Sequence, residues 1–158
     1  MLTVRIIAVG RLRDRWLRDG FDEYIKRLGA YCRIETVEID EYRLSDSPSQ
    51  SEILRGLEHE GKAILKKAEN SLIIPLCIEG EQTDSKGLSL LLEKLMERSS
   101  CISFVIGGSF GLSDEVKNHG AKKLSMSPMT FPHQLARVML SEQLYRAFSI
   151  INGQKYHK

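Results

Sequence analysis

The sequence is short of the residues that usually announce a chemistry. Its three cysteines, Cys32, Cys77 and Cys101, are far apart, form no CxxC pair, and have no HxxxH spacing to complement them. A structural zinc site is therefore not expected. Thiols so scattered, two of them in apolar strand-like runs, read as buried free cysteines of a reducing compartment. After the first apolar run stands a single glycine, Gly10, where a dinucleotide fingerprint needs three, and no GxxxxGK[ST] phosphate loop occurs anywhere. No apolar run approaches the roughly 20 residues of a membrane span, and the N-terminus goes straight into a strand-like run without a leader pattern. The chain is expected in the cytoplasm, with no membrane partner. Charge of one sign is lacking too: 23 Lys and Arg against 21 Asp and Glu leave +2, so composition alone does not argue for nucleic acid. Arg11, Arg13, Arg15 and Arg18 fall within eight residues, a pattern that reads as the solvated face of a helix entry.

What is present has the rhythm of an α/β protein. A chain of 158 residues predicts one domain, 1–158, burying about two-thirds of its unfolded surface. Residues 2–9 predict a strand. Apolar positions 16, 17, 21, 24, 25 and 28 predict a helix, and 33–39 a second strand. The polar stretch 41–51 reads as a mobile loop. Ser49 and Glu52 then have capping-box spacing ahead of a helix with Ile53, Leu54, Leu57, Ile64, Leu65 and Ala68 on one face. Residues 72–78 predict a buried strand in which Pro75, having no N–H, must meet an edge or an irregularity. A helix carrying Leu88, Leu91, Leu92, Leu95 and Met96 follows, then a strand over 101–106. Ser113 caps a short helix to about Asn118, residues 121–126 offer a short strand, and a long helix runs from about Pro132 to Ile151. Strands alternating with helices predict a mainly parallel sheet flanked by helices, with ligands beyond the carboxyl ends of its strands.

Two stretches of the last third stand at such ends. Phe104–Ile106 stops on Gly107 and Gly108, with Gly111 close behind, and glycines there let a backbone approach a ligand. Leu124–Pro132 carries no charge and offers backbone groups, hydroxyls and an apolar wall. Together they predict one pocket for a small, partly apolar ligand. The last helix has Leu135, Val138 and Met139 on a stripe continued by Glu142, and Leu144, Phe148 and Ile151 on another. This breadth predicts packing against the core and against a second subunit. Glu142 reads as a paired structural carboxylate, His133 as a loop-former, and Arg137 and Arg146 as partners of acids or of phosphate. The chain ends on Tyr156, His157 and Lys158, an aromatic ring beside cations, which is what base stacking and phosphate contact require.

The segments VRIIAVGRLRD, YIKRLGAY, IGGSFGLS and LSMSPMTFPHQLARVMLSEQLYRAFSI and the terminal YHK resemble the bacterial ribosomal large-subunit pseudouridine N3-methyltransferases, a small branch of the SPOUT class, along the whole chain. The resemblance implies a deep trefoil knot near the C-terminus, S-adenosylmethionine as methyl donor without a metal, and an obligate homodimer. Its implied substrate is a pseudouridine in a stem-loop of 23S rRNA, methylated on assembled ribosomes. Carried over by motif, the cofactor contacts are Leu76, Gly107, Met126, Ser127, Pro128, Met129, Thr130 and Phe131. With such a substrate, the aromatic and cationic character of Arg146, Tyr156 and Lys158 makes them the expected RNA contacts, and the imidazole of His157 is the leading candidate for the base that takes the N3 proton, the alternative being that Tyr156 and His157 grip RNA. Two positions depart from the family pattern: Pro128, where a basic or small residue is usual, and Lys155, where proline commonly precedes Tyr-His. A non-enzymatic RNA-binding or ribosome-assembly module is the alternative of a different class. A SPOUT enzyme acting on tRNA is the alternative within it, disfavoured because no accessory RNA-binding domain is present.

Overall fold

The computed structural model describes residues 1–157; Lys158, one of the expected RNA contacts, lies outside them. Five strands, β1 (Thr3–Val9), β2 (Arg33–Ile39), β3 (Leu72–Gln82), β4 (Cys101–Ile106) and β5 (Leu124–Ser125), alternate with five helices. These are α1 (Arg15–Leu28), α2 (Gln50–Lys67), α3 (Ser85–Arg98), α4 (Asp114–Asn118) and α5 (His133–Ile151). The strands pair in parallel in the order β2-β1-β4-β3-β5, which is the sheet the alternation predicts.

Side-chain alternation along the central strands divides the core between the two faces of the sheet. Val4, Ile6 and Ala8 of β1 and Ile102, Phe104 and Ile106 of β4 point to one face, where they meet Leu17, Phe21, Leu92, Leu140, Leu144 and Phe148 from α1, α3 and α5. Ile7, Val9 and Val105 point to the other, against Ile64 and Ala68 below α2 and Val116 of α4. Because both faces are covered, β1 and β4 read as continuous apolar runs. Arg137 crosses this core. It is 2% exposed, its Nη1 lies 2.7 Å from Glu38 Oε2, and its Nη2 donates to the Gly10 carbonyl at 2.9 Å.

Several expectations change in the folded chain. Trp16 begins the predicted apolar stripe of α1 but is 67% exposed, as Leu54 of α2 is 50% exposed. Trp16 stands in the first turn of α1 and Leu54 at the start of the second turn of α2. Met96 of α3 is 39% exposed. The four arginines of 11–18 are all exposed, as read. Ser49 caps α2 by accepting from the Glu52 amide at 3.2 Å, but the reciprocal half of the capping box is absent. The Glu52 carboxylate instead accepts from the amide and hydroxyl of Ser45, at 2.7 and 2.8 Å. With Tyr42 N–H donating to Glu60 at 2.9 Å, two carboxylates of α2 tie down the 41–51 segment that reads as a mobile loop. Strand β3 runs four residues past Ile78, because Glu81 and Gln82 pair with β5 after a register shift. The polar composition of Glu79–Gln82 hides that strand, and at Gly80 a Cβ would lie 2.7 Å from the Leu124 carbonyl carbon. Pro75 pairs in register with Val105 on one side, while beyond it the chain is irregular: Gly120 packs on the proline ring and Ala121 N–H donates to Ile73 at 2.8 Å. Finally, α5 packs against both α1 and α3, while Leu135, Val138, Met139, Ile150 and Ile151 along it stay partly exposed.

Candidate functional site

Strands β4 and β5 end beside the middle of β3, and the segments there enclose a cleft of about 540 Å³. The turn after β4 forms one wall. Gly108 and Gly111 face each other as an isolated bridge, with Gly111 N–H donating to the Gly108 carbonyl at 3.1 Å and Gly111 at φ +81°. Gly107 has a sharper reason than ligand approach: a Cβ there would collide with the backbone carbonyl of Gly111. That glycine shapes the turn, and the turn shapes the cleft. The second wall is the middle of β3, Leu76 with Cys77 and Ile78, where its register against β5 shifts. The third is the 125–131 segment, held in shape by Ser125 Oγ donating to the Ser127 carbonyl at 3.2 Å and by Met129 N–H donating to Ser127 Oγ at 3.0 Å.

Of the residues expected to hold a cofactor, Leu76, Gly107, Met126, Ser127, Met129, Thr130 and Phe131 all line this one cleft; Pro128 stands in the same loop but not on the wall. The first turn of α5 closes the cleft with Pro132, His133 and Ala136, none of which was singled out as a contact. Neither were Cys77 and Ser109, although both adjoin a quoted motif residue. The wall has no aspartate, glutamate, lysine or arginine. Apolar side chains for a flat ring and four serine and threonine hydroxyls, those of Ser109, Ser125, Ser127 and Thr130, are a set that suits an adenosine carrying a small zwitterionic arm. Burial and the charge of Glu79 raise the Cys77 thiol above its ordinary range, so it stands here as a neutral wall group. Among the described residues no three His, Cys, Asp or Glu side chains cluster as metal ligands would.

The tail is elsewhere. Tyr156 packs edge-on against Tyr145 with centroids 4.8 Å apart, and its hydroxyl donates to Glu142 Oε1 at 3.2 Å. Burial, then the Tyr24 hydroxyl and the Glu142 charge, push its phenol well above the usual range. Arg146 Nε and Nη2 both donate to Glu142 Oε1, at 2.9 and 2.5 Å, and Nη1 lies 3.1 Å from His157 Nδ1. Donating to Glu142 also raises the Arg146 pKa. Glu142 is thus the paired carboxylate its position suggests. Arg146, Tyr156 and His157 come together on α5 of their own chain, and none of them lines the cleft.

A family profile described as "Predicted SPOUT methyltransferase" matches residues 2–157. The chain is 42% identical to "Ribosomal RNA large subunit methyltransferase H" of Oenococcus oeni, over the whole of both chains. It is 43% identical to "Ribosomal RNA large subunit methyltransferase H 1" of Clostridium perfringens, over 99% of this chain and all of that one. Among solved structures it resembles a probable methyltransferase from Bordetella pertussis Tohama I, with TM-score 0.56 and 14% identity, covering 92% of this chain and 93% of that one. That likeness is one of fold.

Proposed function

Because the chain belongs to the SPOUT methyltransferase family, we propose that it methylates N3 of a pseudouridine in large-subunit ribosomal RNA, with S-adenosylmethionine as donor, as a single domain spanning 1–158. The observation that carries this reading is the uncharged cleft where β4 and β5 end beside β3, which gathers seven of the eight cofactor contacts that the resemblance implies. When bound there, S-adenosylmethionine supplies an electrophilic methyl group. Met126, Met129 and Phe131 provide the apolar slot, Ser127 and Thr130 the hydroxyls, and Leu76 and the 107–111 turn the backbone edge. Fixing the acceptor in line with the methyl group supplies much of the acceleration, and a base that removes the N3 proton adds about 10²–10⁴-fold.

In this proposal His157 is that base, and Arg146, Tyr156 and Lys158 hold RNA. Since the tail of one chain rests on its own α5 rather than in its own cleft, the role is best served across a homodimer. The exposed Trp16 supports such an assembly, and just before α1 the Arg13 N–H donates to Gln134 Oε1, next in the chain to His133 of the cleft, at 3.2 Å. The trefoil knot and a cytoplasmic setting belong to the same reading; no helix among the described residues is long and apolar enough to cross a membrane. A non-enzymatic RNA-binding module has no use for an uncharged cleft, and the names of the relatives favour ribosomal RNA over tRNA. Calorimetry with S-adenosylmethionine and mass mapping of rRNA from a strain lacking the gene test the proposal. Absence of binding, or an unchanged rRNA mass pattern, overturns it.

A further inference from the structure

The four arginines around the start of α1 stand where the helix dipole disfavours cations. Arg15 and Arg18 lie in the first turn, and Arg11 and Arg13 just before it. Nothing local offsets them: the N-cap Asp14 makes no side-chain cap bond and the first turn holds no acid. All four are exposed. Arg15 lies 3.9 Å from Asp19, and among the described residues Arg11, Arg13 and Arg18 form no ion pair at all. Folding gains nothing from cations so placed, whereas a bound anion would turn them to advantage. A cavity of about 370 Å³ adjoins them, with Arg11, Arg18, Thr36 and Arg137 on its wall. Arg137 is 2% exposed, and its Nε is buried without a hydrogen-bond partner. Two acids, Asp22 and Glu38, share the wall. Glu38 is engaged by Arg137 at 2.7 Å, so the two exposed guanidiniums outnumber the one remaining carboxylate.

This cavity and the cleft share one helix turn. Ala136 of α5 lines the cleft and Arg137, the next residue, lines the cavity. The arginine segment is fastened to that turn twice. The Gly10 carbonyl accepts from Arg137 Nη2 at 2.9 Å, and Arg13 N–H donates to Gln134 Oε1 at 3.2 Å. We propose that the arginine-lined cavity seats a backbone phosphate of the RNA strand that carries the target nucleotide. Arg11 and Arg18 are its forked donors, and Arg13 reaches the neighbouring phosphate. The inference rests on the methyltransferase reading above and adds a foothold for RNA separate from the C-terminal tail. Phosphate contacts fix register without reading sequence. Held here, they set which nucleotide of the strand stands at the cleft. Asp22 opposes the phosphate, so its neutralisation favours binding.

The test follows methylation of ribosomes from a strain lacking the gene, with KM and kcat measured from about 50 to 200 mM KCl at fixed Mg²⁺. Arg11→Gln and Arg18→Gln should each raise KM for ribosomes by about threefold or more at the lower salt. Each should also flatten the slope of log KM against log salt by about one, with kcat and S-adenosylmethionine affinity unchanged. Asp22→Asn should lower KM. Arg98→Gln removes the same charge from an equally exposed position at the C-terminal end of α3 and should leave KM and slope as in wild type. An unchanged KM in Arg11→Gln and Arg18→Gln, an equal effect of Arg98→Gln, or a raised KM in Asp22→Asn overturns the inference and leaves the methyltransferase reading standing. So does a change of oligomeric state in sedimentation of the arginine variants, which would make the cluster a contact between copies. A wild type that methylates no ribosomes overturns both.

Discussion

Arg137 of α5 and Glu38 of β2, 99 positions apart in the chain, form an ion pair 2.7 Å long. They are unequally placed: the arginine side chain is 2% exposed and the glutamate 40%. The guanidinium also lies 5.7 Å from the Phe21 ring, and its Nε is buried without a hydrogen-bond partner. The pair ties the end of the β2-β1 ladder to the helix whose first turn closes the cleft.

The more exposed partner is therefore the costlier one to remove. Glu38→Ala strands a buried positive charge and should destabilise by about 3–5 kcal/mol. Arg137→Met fills much of the volume, frees Glu38 to hydrate and should cost about 1–3 kcal/mol. Urea unfolding of the two variants decides it; a larger loss in Arg137→Met would refute the asymmetry.

Thiol labelling should report on the cofactor cleft. Burial pushes the Cys32 thiol up to about 11, so in the folded protein it should resist alkylation at neutral pH. Cys77 is only partly buried and stands on the cleft wall. Its labelling should slow severalfold when S-adenosylmethionine is added, while that of Cys101, at the opposite end of the sheet, stays constant. Mass spectrometry of the labelled peptides gives each rate, and equal slowing at both cysteines would place the cofactor elsewhere.

The C-terminal residues are predicted to be dispensable for folding and cofactor binding but not for catalysis. Deleting residues 156–158 removes the Tyr145–Tyr156 contact and the Tyr156–Glu142 hydrogen bond, yet leaves every strand and helix in place. Stability should fall by about 1–2 kcal/mol and methylation of ribosomes should vanish. If His157 takes the N3 proton, the His157→Ala variant should regain rate as pH rises and N3 ionises unaided. If His157 only grips RNA, the variant should bind ribosomes more weakly with the wild-type pH profile. Full activity in the deletion removes both roles.

Glu60 should leave a mark on the pH dependence of stability. Its folded carboxyl titrates above the ordinary value of 4.5 because burial disfavours its charge. Over the window just above that value the folded state binds more protons than the unfolded chain. The contribution of this group is therefore most favourable at low pH and is lost as pH rises through the folded pKa. Glu60→Gln should remove that loss, so the variant gains relative to wild type on going from about pH 4.5 to neutrality. Urea midpoints across that range check the sign; a variant that instead falls behind with rising pH would show Glu60 to be stabilised by its charge.

Much of this protein is written in local pattern. The apolar runs at 3–9 and 101–106, the stripe of α3 and the caps at Ser49 and Ser113 follow from side-chain periodicity and short-range hydrogen bonding, which depend only on neighbours in the chain. The loops that line the cleft were legible for a related reason: the glycines of 107–111 and the uncharged run at 124–132 are compositions that a mere connection does not need. What only the folded chain decided depends on groups far apart in sequence. The polar Glu79–Gln82 is strand because β5 lies against it. Gly107 is glycine because Gly111 folds back onto it. Glu142 takes both Arg146 and the Tyr156 of the tail. Glu41 and Glu60, 19 positions apart, share one cavity because the segment after β2 is tied to α2 by the Tyr42 amide. Periodicity reports which face of an element is buried; it carries no information about which distant group will stand opposite, since that is set by the sheet order and by the hydrogen bonds that close its loops.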